Sequence, residues 1–144
     1  SFGQGDAMQG VQFKTELATD TMIGLTHAAP LSATNAWRDL EFVLYFHLYN
    51  NVYFYELGDN KDIINNGITS NTQIWQIRVN ANSRVELVRD GVVIWTFDSP
   101  SATAWSGGSQ LYVSTGATGA GTQQPNAYDW QWVDASGAPV GSVW

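Results

Sequence analysis

Cysteine is absent from the 144 residues of this chain, so neither a disulfide framework nor a thiolate metal site is open to it. Basic side chains are scarce: 6 Lys and Arg stand against 13 Asp and Glu, a formal net charge of −7. Proteins that neutralise phosphates need a basic patch, so this balance argues against nucleic acid as a partner and disfavours anionic membrane surfaces. No run of about 18 apolar residues occurs, and membrane insertion is not expected. There are only two histidines, His27 and His47, and neither has a close ligand partner in sequence, so a zinc site is not expected. A capped 3.6-residue apolar period is missing, as is a G-x-S-x-G elbow. The run Gly116-Ala117-Thr118-Gly119-Ala120-Gly121 lacks the lysine and the strand-to-helix setting of a phosphate loop.

What the chain does have is aromatic: 7 Trp, 6 Tyr and 6 Phe, with charged residues held to 13%. Its remaining surface is therefore rich in Gly, Ser, Thr, Asn and Gln, which suits neutral hydroxylated ligands. A chain of this length buries roughly 68–70% of its unfolded surface, enough for one core, and residues 1–144 read as a single domain. The opening residues SFGQGDAM have neither a signal-peptide shape nor an initiating Met, so the expectation is a processed chain or a domain of a longer extracellular protein.

Apolar residues recur with period 2 almost throughout. Val11 to Glu16 alternates, Met22 to Leu25 is a short apolar run, and Leu40 to Tyr49 is dense in aromatic and β-branched residues. Val52 to Tyr55, Trp75 to Val79, Arg84 to Phe97, Leu111 to Val113 and Tyr128 to Val133 complete the set, with polar loops over 27–37, 59–72, 98–109 and 116–126. Many short strands between turn signals predict an all-β, two-sheet antiparallel β-sandwich.

Two hairpins carry the candidate site. A two-residue turn at Asn50-Asn51 would pair Leu48 with Tyr53, His47 with Phe54, Phe46 with Tyr55 and Tyr45 with Glu56. One face would then carry Tyr45, His47, Tyr49, Val52, Phe54 and Glu56. The Asp90-Gly91 pair is a strong type I′ signal, because both central residues need positive φ. Its two-residue register pairs Leu87 with Ile94 and Glu86 with Trp95, which sets Arg84, Glu86, Val88, Val93, Trp95 and Phe97 on one face. Rings beside hydrogen-bonding side chains are what a sugar requires: its C–H face packs on the ring while its hydroxyls meet charged or amide groups. Trp95 would serve this way, or would be covered by loops or a neighbouring domain. Trp37 and Trp105 sit in Ser-, Thr-, Ala- and Gly-rich loops and are further candidates, with lidding of the core as the alternative for Trp105. Trp75, aligned with Ile77 and Val79, is expected in the core. The loop from Asp59 to Gly67 offers oxygen donors in Asp59, Asp62 and Asn65, a weak calcium candidate beside a plain solvated turn.

The order MIGLTH, WRDLEFVLYF, VYFYELGDN, WQIRVN, VELVRDGVVIWTF and LYVSTGAT resembles the concanavalin A-like (laminin-G-like) jelly-roll domains of extracellular bacterial, algal and phage proteins, over residues 10 to 133 or so. The resemblance implies two packed antiparallel sheets, one of them usually concave, and no particular reaction. Its glucan-hydrolysing members carry a Glu-x-Asp-x-(x)-Glu strand. Here Asp39 and Glu41 are the matching carboxylates, and Val43 or Leu44 stands where the next one belongs. Retaining hydrolysis needs two carboxyl groups about 5–5.5 Å apart, so a non-catalytic role is the expectation. The metal ligands of legume lectins have no counterpart. The leading expectation is a lectin-like domain that binds a glycan or polysaccharide at an extracellular site or cell surface. The alternative is a structural or adhesion domain that packs on neighbouring domains or on copies of itself.

Overall fold

The computed structural model describes residues 1–16, 21–27, 40–47, 50–99, 103–105, 110–116 and 127–142. Among the described residues, twelve strands run in chain order: β1 (Phe2–Gly3), β2 (Gly10–Thr15), β3 (Thr21–Thr26), β4 (Phe42–Phe46), β5 (Val52–Glu56), β6 (Asp59–Ile64), β7 (Trp75–Val79), β8 (Val85–Arg89), β9 (Val92–Thr96), β10 (Gln110–Gly116), β11 (Ala127–Val133) and β12 (Pro139–Ser142). They form two six-stranded antiparallel sheets, ordered β1-β10-β3-β4-β5-β6 and β12-β11-β2-β7-β8-β9. The protein is a two-sheet β-sandwich. Among the described residues there is no helix long and apolar enough to cross a membrane.

The core forms where the inward positions of the two sheets meet. Ile23, Leu25, Phe42, Leu44, Phe46, Val52 and Phe54 come from the first sheet; Val11, Phe13, Trp75, Ile77, Val79, Val85 and Leu87 come from the second. Rings interlock across the gap. Phe46 meets Trp75 edge-on at 4.9 Å and Phe13 edge-on at 5.8 Å, and such pairs add about 0.5–1.5 kcal/mol each beyond their burial. Trp75 is fully buried, as its alignment with Ile77 and Val79 predicts.

Two registers and one loop assignment differ from the expected ones. At the first hairpin, the His47 amide donates to the Asn51 carbonyl at 2.9 Å, and of the two asparagines Asn50 takes a positive φ, 61°, and Asn51 does not. The loop is therefore five residues, not two, and Phe46 pairs with Val52, Tyr45 with Tyr53 and Leu44 with Phe54. This three-residue shift exchanges the faces of β5: Val52 and Phe54 enter the core, and Tyr53 and Tyr55 turn outward beside Tyr45. At the Asp90-Gly91 turn both central residues have positive φ, 49° and 79°, and Arg89–Val92 and Val88–Val93 pair as expected. A β-bulge then leaves Ile94 unpaired, so Trp95 lies opposite Leu87 and Thr96 opposite Glu86. The extra residue flips Trp95 to the core side. The third difference is β6, which occupies residues expected to be loop: Leu57-Gly58 (φ 48° and 82°) turns the chain tightly enough to lay 59–64 against β5.

Candidate functional site

With the corrected register, the outward face of the first sheet carries a cluster of rings. Tyr53 and Tyr55 alternate along β5 and stack with centroids 6.2 Å apart and planes 24° from parallel. Tyr45, directly across from Tyr53, lies 5.5 Å from it at 30°. His47 meets Tyr45 at 5.5 Å and Tyr53 at 5.6 Å, both edge-on. Met22, Leu40 and Val43 are buried beneath and beside these rings and form an apolar cluster separate from the main core. Gly24 makes room for it, because a Cβ there would come within 3.0 Å of Leu40. Tyr45 is buried, whereas Tyr53 and Tyr55 are half-exposed. Burial, and secondarily the neighbouring Tyr53 phenol, push the Tyr55 hydroxyl above its ordinary range. Two rings this close to parallel offer apolar faces with phenolic hydroxyls at their rim.

The face therefore brings Tyr45 and His47 together, as the sequence predicts, but with Tyr53 and Tyr55 as neighbours instead of Phe54. The apolar pattern held the missing signal. Leu44, Phe46, Val52 and Phe54 form a wholly apolar set once grouped, and that grouping turns the tyrosines out.

The other predicted site residues lie elsewhere. Trp95 packs against the core, stacked on Phe54 at 5.6 Å and 23° and edge-on to Phe97 at 6.4 Å. Its indole nitrogen is buried without a hydrogen-bond partner among the described residues. Glu86 stays on the outward face of the second sheet, opposite Arg78. Its Oε1 accepts from Arg78 Nε at 2.8 Å and its Oε2 accepts from Asn80 Nδ2 at 3.1 Å, so both carboxylate oxygens are engaged and the pair is nearly buried. Arg84 ties the sandwich end together by donating to the Ser99 carbonyl at 2.7 Å. Trp105 packs edge-on against Phe2 at 6.3 Å and against the core, as the lid alternative holds. Trp37 and Asp39 fall outside the described residues.

Glu41 is engaged as well. Its carboxylate contacts His27 Nδ1, while His27 Nε2 lies 2.5 Å from the Ala104 carbonyl, so the two residues join the β3 end to the 103–105 turn. In the calcium candidate, the Asp59 carboxylate takes the Lys61 ammonium at 2.9 Å and Asp62 accepts from the Ile63 amide at 2.8 Å. Among the described residues no three acidic, histidine or cysteine side chains converge as a metal site.

One polar arrangement escaped the sequence reading. On the outward face of the second sheet, Gln76 Nε2 donates to Gln12 Oε1 at 3.1 Å and Gln12 Nε2 donates to Gln131 Oε1 at 3.2 Å. Arg78 Nη1 donates to Gln76 Oε1 at 2.7 Å and links this ladder to Glu86. Its signal lies in three separated triplets, Val11-Gln12-Phe13, Trp75-Gln76-Ile77 and Trp130-Gln131-Trp132, each a glutamine between two apolar residues. Comparison of the chain with protein-family models, curated proteins and solved structures finds no match.

Proposed function

We propose that this chain is a non-catalytic carbohydrate-binding domain of concanavalin A-like, lectin-like architecture, acting in an extracellular or cell-surface setting. The observation that carries the reading is the Tyr53–Tyr55 platform with Tyr45 and His47 beside it. Near-parallel phenols take the C–H face of a pyranose, and their hydroxyls and the imidazole meet its oxygens at the rim. The strand order supports the architecture, since the chain passes between the two sheets at β1–β2, β2–β3, β6–β7, β9–β10 and β10–β11. A net charge of −7 favours neutral or cationic glycans over acidic ones.

A glycan array followed by calorimetric titration with Tyr53→Ala, Tyr55→Ala and the conservative Tyr55→Phe tests this. The alanine variants are expected to lose binding roughly tenfold or more, in line with loss of a stacking ring, and Tyr55→Phe to retain most of it. Wild-type affinity in both alanine variants, or no array response at all, overturns the reading.

A second reading, a structural or adhesion domain, draws on β9. Among the described residues this strand is outermost in its sheet, and Val92 and Val93 are 64% and 45% exposed. An apolar sheet edge of this kind invites strand addition by a neighbouring domain or copy. Concentration-dependent sedimentation without any sugar response favours it.

A further inference from the structure

The amide ladder ends at a cleft of about 650 Å³ on the outward side of the second sheet, on the other side of the core from the tyrosine platform. Gln12 and Lys14 of β2, Tyr128, Asp129 and Gln131 of β11, and Ile74 just before β7 line it. It is shaped by a break in strand pairing. Tyr128 pairs with Lys14 and Gln131 with Gln12, and between them β11 bulges, with Asp129 at φ 56°. A left-handed backbone at a non-glycine residue inside a strand is uncommon and is held in place by its surroundings; such positions gather at sites of function. Here the Trp130 ring lies 5.0 Å from Phe13 and packs on the core, which anchors the bulge. The bulge in turn brings the Asp129 carboxylate to the Lys14 ammonium, 3.2 Å away. The Tyr128 hydroxyl donates to the Asn71 carbonyl at 2.5 Å, which fixes the phenol that lines the cleft.

The chemistry of this cleft is specific. An ammonium and a carboxylate oxygen at 3.2 Å present a donor and an acceptor at the separation of two neighbouring hydroxyls on a sugar ring. The amides of Gln12 and Gln131, already aligned by their mutual bond, offer further donors and acceptors on the same side. Ile74 and the Tyr128 ring supply an apolar wall for C–H groups. The Lys14–Asp129 pair is neutral as a unit, so it selects an uncharged ligand. We infer that this cleft is a second saccharide subsite, which takes one uncharged pyranose bearing two adjacent free hydroxyls. It shares its ligand class with the proposed function, but not its residues. A domain with sites on two opposite faces can bridge two glycan chains, which raises avidity without new contacts.

The test is an amide NMR titration of the full chain with methyl α-mannopyranoside, methyl α-glucopyranoside and methyl β-galactopyranoside, followed on wild type, Lys14→Met, Asp129→Asn and Tyr53→Ala. Asn tolerates the left-handed backbone, so Asp129→Asn removes the charge and spares the bulge. At least one glycoside is expected to shift the 127–131 and 74 amides. Lys14→Met and Asp129→Asn should weaken that response roughly ten- to a hundredfold, the scale of one charge-assisted hydrogen bond, and Tyr53→Ala should leave it unchanged. Shifts confined to 53–55 overturn the subsite and leave the tyrosine reading standing; shifts confined to 127–131 do the reverse. No shift at either place with any of the three glycosides overturns both. Wild-type affinity at the cleft in Lys14→Met and Asp129→Asn overturns the assigned chemistry.

Discussion

Replacing Trp95 separates a structural ring from a binding ring. In the two-residue register it would sit opposite Glu86 on the outward face, and its loss would cost ligand; in the bulged register it packs on Phe54 and the core, and its loss costs stability. Truncating a buried Trp or Phe to Ala costs about 3–5 kcal/mol. Trp95 is half-exposed, and its buried indole N–H carries a desolvation penalty of about 1–3 kcal/mol that truncation relieves. Trp95→Ala is therefore expected to cost about 2–3 kcal/mol net. Trp95→Phe keeps a ring on Phe54 and sheds the unpaired N–H, so it should fall within about 1 kcal/mol of wild type. Urea unfolding followed by far-ultraviolet circular dichroism gives both numbers, since fluorescence from 7 tryptophans does not isolate one of them. Glycan affinity of the folded fraction should be unchanged in both variants. A Trp95→Ala protein as stable as wild type but unable to bind glycan would refute the bulged register and restore the outward Trp.

Three more outcomes follow from particular residues. Leu57 occupies a left-handed turn position while 66% exposed, and Leu57→Asn should stabilise by about 1 kcal/mol and raise the melting temperature by roughly 2–5 °C in calorimetry; an unchanged or lower value counts against the turn geometry. Glu86→Ala strands the nearly buried Arg78 guanidinium and should cost about 3 kcal/mol in urea with no change in glycan affinity, which reverses the binding role given to Glu86 by its sequence position. The raised Tyr55 hydroxyl gives a stability contribution that is complete below the ordinary tyrosine value of 10.0 and is lost as pH rises through the higher folded value. Ultraviolet phenolate titration should show this shift, and a glycan bound at the platform should move it higher still; a normal Tyr55 titration sinks the burial argument.

The class of fold was legible because period-2 alternation survives in nearly every strand, and β7 matches its expected bounds at both ends. Turn positions were legible where backbone chemistry demands particular residues, as at Asp90-Gly91. Register was not. The extra residue at Ile94 has no sequence mark, since Val92, Val93 and Ile94 are interchangeable in hydropathy and any of them fits a bulge. At Asn50-Asn51 two residues able to take positive φ suggested two turn positions, but only Asn50 uses that freedom. A shift of an odd number of residues moves every side chain of a strand to the opposite face. That is why Tyr45 and His47 were placed on the outward face while Tyr53 and Tyr55, the heart of the candidate site, were missed. The β11 bulge was hidden for the same reason: Asp129 reads as an ordinary polar position in an alternating strand, and only its pairing with β2 shows otherwise.

Early and late strands pair with each other in both sheets, β1 and β3 with β10 and β2 with β11, and this orders the assembly of the fold. Strands β3 to β9 pair largely with near neighbours in sequence, but the free edge of β3 waits for β10, and that of β2 for β11. The Gln12–Gln131 bond spans 119 positions. A nascent chain that stops short of β10 thus carries two open, apolar edges, one in each half-built sheet, and such edges are templates for intermolecular pairing. Protection of both comes only once β10 and β11 have paired, so these strands act as the fold's own chaperone against self-association.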